Sequence, residues 1–350
     1  MSDDDSGDIS DRKEDHIELT TEEDVEARSK STLLGEVEFF HDSLPELSVD
    51  DVDLSVRALG KRLGAPLVIS GMTGGADRAR EINRKLARVA SEFEIAFGVG
   101  SQRAMLDDPS LADTYRVRDV APDILLFGNI GAVQVVEYDP ERIAGLVESL
   151  DADALCVHLN PGQELMQPEG DRDFRGCVDA IGELDRRLSV PVIAKETGCG
   201  ISAVGLDKLS RAGIEWVDTS GAGGTTWIGV ETFRTPPEQR EVGEIFWDWG
   251  VPTAACIVYA RRRSFDVIGS GGLRTGLDAA RALALGAKLA GMALPWIRSV
   301  HDHGIEAARR FARTTVRSLQ TACMLTGSAT ISELRDAPTS IGPDLERWLD

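Results

Sequence analysis

The stretch Ala154-Leu-Cys-Val-His-Leu-Asn-Pro-Gly-Gln-Glu-Leu-Met-Gln-Pro-Glu-Gly-Asp-Arg-Asp-Phe174 joins an apolar run to a loop crowded with polar groups. The run 154–157 reads as a buried strand. It gives way at once to His158, Asn160, Gln163 and Glu164: an imidazole, two carboxamides and a carboxylate. Pro161, Gly162, Pro168 and Gly170 punctuate this loop and exclude a regular helix through it. Function concentrates on loops held by a rigid scaffold, and a plain connector has little use for this chemistry. The same pattern, a short β-rich run and then a polar or glycine-rich end, recurs along the chain. The runs cover 66–70, 95–99, 124–128, 154–159, 192–196, 216–220, 266–270 and 288–293, with amphipathic helical patterns between them such as 78–93 and 140–150. Eight strands alternating with helices predict an α/β chain whose parallel sheet closes into a (β/α)8 barrel. An open doubly wound sheet shares the alternation, but eight consecutive repeats favour closure.

The barrel is expected over 51–350, preceded by a covering segment at 11–50 and a disordered acidic tail at 1–10. The span 225–264 is long for one loop and helix, and its Thr235-Pro-Pro237 marks an ordered insertion. No apolar run reaches the roughly 18 residues that cross a bilayer, and the N-terminus lacks a signal architecture, so a cytoplasmic protein is expected. A net charge of −21 opposes binding to nucleic acid or an anionic membrane. Only seven of the 38 basic residues are lysines, and the carboxylate surplus runs beyond the tail. Both favour adaptation to high salt over an ordinary acidic protein. Cys156, Cys177, Cys199, Cys256 and Cys323 show no metal-ligand spacing and read as reduced thiols. His301 and His303 have no third ligand nearby and read as surface.

In a barrel of this kind the site is built at the C-terminal strand ends. In chain order those ends are Ser70-Gly-Met-Thr-Gly-Gly75, Gly98-Val-Gly-Ser-Gln-Arg103, Gly128-Asn-Ile-Gly131, His158 to Glu164, Lys195-Glu-Thr-Gly198, Ser220-Gly-Ala-Gly-Gly-Thr-Thr-Trp227, Gly269-Ser-Gly-Gly-Leu-Arg274 and Gly291-Met-Ala-Leu294. Backbone N–H groups in the glycine-rich ends after the last two strands, with the positive ends of the following helices, form a phosphate site that includes Gly271, Gly272 and Arg274. Glycines after the first and sixth strands let backbone approach a flat ring. Lys195, inward from the fifth strand, offers a cation to an anionic ring position; its plainer role is a core ion pair with Glu196 or Asp218. Phosphate, flat ring and cation fit a flavin mononucleotide. Arg12, Lys13, His16 and Arg103 reverse the local sign of charge and suit a phosphorylated substrate. Glu164 beside Gln163 offers the hard oxygen that Mg²⁺ prefers.

Taken together, Arg-Lys-x-x-His, Met-Thr-Gly-Gly, Gly-Ser-x-Arg, Gly-Asn, His-Leu-Asn-x-x-Gln-Glu with Pro-Glu-Gly-Asp-Arg, Lys-Glu, Gly-Gly-Thr-x-Trp and Ser-Gly-Gly-x-Arg resemble the FMN-dependent type 2 isopentenyl diphosphate isomerases over Arg12 to about Leu294. The resemblance implies an FMN-binding barrel that uses NADPH as reductant and Mg²⁺, interconverts isopentenyl and dimethylallyl diphosphates in isoprenoid biosynthesis, and forms a homo-oligomer, tetramer or octamer. It implies FMN contacts from Met72, Thr73, Gly74, Ser101, Asn129, Lys195, Ser220, Thr225, Gly271, Gly272, Arg274, Ala293 and Leu294. It assigns substrate contacts to Arg12, Lys13, His16, Ser101, Arg103, His158, Asn160 and Gln163, with Trp227 and Glu231 walling the site and Glu164 holding the metal. Gln163, Lys195 and His158 would carry the chemistry. One departure is Cys199 between Gly198 and Gly200, where the family commonly has an aromatic residue.

The rival reading is an FMN-dependent 2-hydroxy acid oxidoreductase, which could share the phosphate site. That chemistry wants a histidine base with an arginine clamp late in the barrel, and the loop after the seventh strand offers Arg274 but no histidine. A flavin-binding scaffold without catalysis leaves Gln163, Glu164 and the basic N-terminus unexplained.

Overall fold

A computed structural model describes residues 14–350. Eight parallel strands close a barrel: β1 (Leu67–Ile69), β2 (Ala96–Gly98), β3 (Leu126–Gly131), β4 (Ala154–Leu159), β5 (Val192–Glu196), β6 (Trp216–Asp218), β7 (Asp266–Ser270) and β8 (Leu289–Met292). Each pairs with the next in sequence, and β8 returns to β1 with Ala290 opposite Leu67. The outer ring is α1 (Asp77–Glu92), α2 (Pro140–Leu150), α3 (Cys177–Arg187), α4 (Ala203–Ala212), α5 (Thr253–Arg261), α6 (Gly276–Ala284) and α7 (Leu294–Leu325), the last broken at Gly304, whose φ is 67°. In α1 the buried Ala79, Ile82, Leu86, Val89 and Ala90 repeat at three- and four-residue spacing, the stripe a barrel helix needs. No helix among the described residues is long and apolar enough to cross a membrane.

Strand periodicity of two decides what faces inward. Val68, Phe127, Cys156, Ile193, Trp216 and Ile268 share an interior cluster, while their neighbours Ile69, Leu126, Leu155, Ala194, Val217 and Val267 face the helices. Ala58 and Leu63, from the hairpin Val56–Ala58 and Lys61–Leu63, join the interior cluster and close its N-terminal end. Two residues beyond the apolar layer come His158, Lys195 and Asp218, which are register partners across β4, β5 and β6. The apolar floor therefore forces a polar row into the C-terminal mouth.

Three local features differ from the sequence-based expectation. The third strand begins at Leu126 and runs to Gly131, so Asn129 is a strand residue held by its register partner Cys156. The sixth strand stops at Asp218; Thr219 Oγ1 donates to Ser270 O at 3.0 Å and accepts from Ser270 N at 3.1 Å, and Ser220 turns to a φ of 33°. After β4, against the expectation from its prolines and glycines, Pro161–Met166 is helical. Pro161 takes the first helical position, where its missing N–H costs no bond, and the helix ends before Pro168 and Gly170. The insertion is ordered as helices Trp227–Arg234 and Arg240–Phe246 ahead of α5. Thr339–Ile341, near the end of the chain, pairs antiparallel with Val37–Phe39. All five cysteines are free. The expected acidic tail, with Arg12 and Lys13, lies outside the described residues.

Candidate active site

One cavity opens at the C-terminal mouth, and every strand end contributes to its wall. The end of β1 supplies Met72 and Thr73, that of β2 Ser101 and Arg103, and β3 supplies Asn129. His158, Asn160, Gln163 and Glu164 enter from β4 and the short helix after it, and Lys195 from β5. The loop after β6 brings Ser220, Thr225 and Trp227; the last two ends bring Gly271, Gly272, Arg274, Ala293 and Leu294. His16 reaches the same wall from the segment helical over 14–22. Gly74 and Glu231 stand one layer behind. A Cβ on Gly74 would come within 1.9 Å of the Tyr115 ring, whose hydroxyl donates to Ser101 O at 2.8 Å. The bare backbone at Gly74 thus lets Tyr115 brace the β2 end.

On one side the cavity suits a flat, polar ring with a phosphate tail. Ser70 Oγ and Thr73 Oγ1 are buried on its wall without a hydrogen-bond partner, and such hydroxyls cost stability unless a ligand completes them. The loops after β6 and β7 touch backbone to backbone: a Cβ on Gly224 would lie 2.2 Å from Gly272 Cα. Gly271 and Gly272 hold φ of 103° and 73°, the left-handed region glycine tolerates. Arg274 is already engaged, its Nε donating to Glu26 Oε1 at 2.9 Å, so a phosphate there shares or displaces that carboxylate. Of the two partners foreseen for Lys195, the side-chain pair is with Asp218, Nζ to Oδ2 at 3.1 Å. Glu196 faces the other way, where its Oε2 accepts the N–H groups of Thr197, Gly198, Cys199 and Gly200 at 2.6–2.9 Å. Burial pushes the Glu196 carboxyl up to about 7 against the pull of those four donors.

On the other side a hydrogen-bonded cluster gathers around Glu231, whose carboxylate is fully buried. Gln163 Nε2 donates to its Oε1 at 2.9 Å, His16 Nε2 lies 2.9 Å from the same oxygen, and Arg234 Nη1 donates to Oε2 at 2.8 Å. Burial alone would raise this carboxyl; the bonds from His16, Gln163 and Arg234 prevail and hold it down at about 2. His16 also meets the Trp227 ring edge-on at 5.0 Å. Asn160 Nδ2 donates to Gln163 Oε1 at 3.2 Å and to Glu164 Oε1 at 2.8 Å. Glu164 Oε2 accepts from Asp171 N at 2.9 Å, and burial raises the Glu164 carboxyl. Asn129 gives its Nδ2 to Val99 O, which turns its Oδ1 to His158 Nδ1 at 2.8 Å and assigns the proton there to the ring. Arg103 Nη1 sits 3.8 Å from Asp171 Oδ2.

Several contributors are not singled out by sequence reasoning. Gln102, fully buried, accepts from Asn129 N at 2.9 Å and so sets the residue that orients His158. Asp171 joins Glu164 and Arg103, and Ser270 bonds Asp218. Their signals are present in the chain: Gln102 and Asp171 lie inside the Gly-Ser-x-Arg and Pro-Glu-Gly-Asp-Arg motifs, and Ser270 is two residues beyond the inward Ile268.

A family model for FMN-dependent dehydrogenases matches residues 175–340. The isopentenyl-diphosphate delta-isomerase of Halobacterium salinarum is 46% identical over 342 residues, covering 96% of this chain and 94% of that protein. The protein of that name from Nostoc sp. is 45% identical over 336 residues, 95% of each chain. That of Methanosarcina mazei is 44% identical over 335 residues, 94% of this chain and 91% of its own. Among solved structures, a mandelate oxidase carrying an FMN adduct superposes with a TM-score of 0.65 at 14% identity, covering 97% of this chain and 100% of that one. A flavocytochrome b2 with benzoylformate gives 0.65 at 18%, covering 90% of this chain and 76% of that one. At such identities these two are likenesses of fold alone. Near-full-length identity of this order to the isomerases, with every strand end of the barrel lining one cavity, places the chain in the type 2 isopentenyl-diphosphate delta-isomerase family.

Proposed function

We propose that this chain interconverts isopentenyl and dimethylallyl diphosphates by adding a proton at one allylic end and removing one from the other. The observation that supports it most is the buried Glu231 carboxylate drawing Gln163 and His16 together at 2.9 Å on the cavity wall. Bound FMN in its reduced form would supply proton-transfer chemistry, with NADPH as the reductant and no net oxidation or reduction of the substrate. Met72, Thr73, Ser101, Asn129, Ser220 and Thr225 would hold the ring and its side chain, with Gly271, Gly272, Arg274, Ala293 and Leu294 at the phosphate and Gly74 bracing from behind. Lys195 would balance charge on the reduced ring.

The diphosphate falls to Arg12, Lys13, His16, Ser101, Arg103, His158 and Asn160, so that binding at the unreactive end positions the carbon end. Glu164 would bind Mg²⁺. No cluster of three or more His, Cys, Asp or Glu suited to a metal lies among the described residues, so water and diphosphate oxygens would complete the shell. Gln163 is positioned by acceptors and donors at both ends of its amide, and it orients a proton path at the allylic carbons rather than acting as an acid itself. His16, Ile17 and Thr20 of the helical segment 14–22 line the cavity and would help exclude water from developing positive charge on carbon.

The rival, FMN-dependent oxidation of a 2-hydroxy acid, wants a histidine base, yet Gly271-Gly-Leu-Arg274 and the helix after it contain none. An anaerobic assay in high salt with FMN, Mg²⁺, isopentenyl diphosphate and catalytic NADPH separates the two. Many molecules of dimethylallyl diphosphate per NADPH are expected; product in step with NADPH consumed would favour the oxidoreductase. Gly224→Ala wedges the loops after β6 and β7 apart. It is expected to weaken FMN binding at least tenfold by flavin fluorescence, with far-UV circular dichroism unchanged; undiminished binding would remove these loops from the phosphate site.

A further inference from the structure

Asp218 ends β6 in the same register row as Lys195, so both side chains turn into the barrel. Its Oδ2 lies 3.1 Å from Lys195 Nζ, and its Oδ1 accepts the Ser270 hydroxyl from β7. Asp218 is 2% exposed and forms no part of the cavity wall, whereas Lys195 and Ser270 do. The other partner of Lys195 Nζ is the carbonyl of Glu196 at 3.2 Å.

Stability is a weak reason for this arrangement, because replacing a buried ion pair by apolar residues is often neutral or favourable. Anion binding alone is a weak reason too: a lysine serving only to attract an anionic ring does better without a carboxylate competing for its ammonium. The pair has one consequence that neither residue has alone. With a neutral oxidised ring beside it the site carries no net charge, and with an anionic reduced ring it carries one negative charge out of water. Without Asp218 the balance reverses. The lone ammonium is then uncompensated beside the oxidised ring and matched beside the reduced one.

We infer that Asp218 is a positioning and charge-balancing residue for Lys195, anchored by Ser270, which limits how strongly the barrel prefers reduced over oxidised FMN. A ring held less tightly in its anionic form keeps more of its basicity, which suits a site that returns protons to carbon. The inference rests on the flavin reading above.

The test is the two-electron reduction potential of bound FMN, read anaerobically by equilibration with a reference dye, in the wild type, Asp218→Asn and Asp218→Glu. The Asn variant is expected to favour the reduced form at least tenfold more than the wild type, a rise of about 30 mV. The Glu variant, which keeps the charge, should return toward the wild-type value. An unchanged or lowered potential in the Asn variant overturns the assignment, since a merely structural role leaves the couple where it was. If that variant does not fold, Asp218→Ser, which is smaller and can still pair with the Ser270 hydroxyl, is measured in its place: a raised potential supports the assignment and an unmoved one overturns it. A wild-type protein that binds no FMN sinks the cofactor reading, and this inference with it; FMN bound with an unmoved potential sinks the inference alone.

Discussion

Gln163→Ala is expected to lower turnover by about 10²-fold or more, the scale on which misplaced reacting groups cost rate, while FMN content stays at the wild-type level. Gln163 sits on the cavity wall with its Nε2 on Glu231 and its Oε1 facing Asn160. Those two contacts fix the amide from opposite ends, so its orientation is a property of the folded site rather than of a loose side chain. On the proposed reading, truncation removes the link between the cavity and the buried carboxylate. It leaves the glycine loops and Lys195, on other strands, in place. A loss confined to kcat, with isopentenyl diphosphate affinity kept, marks an interaction made in the transition state. A rate within a few-fold of the wild type would remove Gln163 from the proton path.

The second large effect is expected at Glu231. Glu231→Gln keeps the shape but replaces an acceptor with a group that is half donor, opposite three donors at 2.8–2.9 Å. A cost of about 3 kcal/mol is expected for breaking a buried charged network of this kind. Arg234 limits the loss, since it keeps Glu169 at 3.1 Å. The pH dependence gives an independent check. The folded carboxyl lies at about 2, below its ordinary 4.5, so the unfolded chain binds the proton more readily. Its contribution to stability is complete above about 4.5 and is lost as pH falls from there through about 2. Urea melts at pH 7 and pH 3.5 should therefore show a gap between wild type and variant that narrows in acid; a gap independent of pH would contradict the depressed carboxyl. Turnover should fall as well, and Gln163→Ala on top of Glu231→Gln should add little, because the two residues act as one unit.

The architecture was legible because barrel strands obey a simple rule. An apolar run of four to six residues bounded by glycine has to be buried on both faces, and eight of them alternating with stripes like that of α1 leave closure as the economical solution. The strand ends were legible for a related reason: beyond the last apolar layer an inward side chain has only the mouth to face, so His158, Lys195 and Gly271 had to line it. Local boundaries were less legible. Pro161 stands as a helix breaker in most contexts but as a helix starter at the first position, and only the chain direction leaving β4 tells the two apart. Asn129 lies just past the apolar run because pairing with β4 carries β3 on through Gly131, with buried Ile130 in the core and Gln102 accepting the Asn129 N–H.

Partnership was legible only as a choice between candidates. Glu196 and Asp218 were equal candidates for Lys195 by sequence, yet alternation turns Glu196 outward into a nest of four N–H groups while register brings Asp218 alongside. Gln163 meets a carboxylate 68 residues away, and His16 reaches the same oxygen across 215 residues. Hydrophobic periodicity and glycine placement act over a few residues and are written locally, so they sufficed for the barrel and for which strand ends hold polar groups. The pairing of charges inside the mouth depends on how eight strands are staggered when the ring closes and on where the insertion after β6 and the N-terminal segment then fold across it. Those are long-range distances that no local pattern encodes.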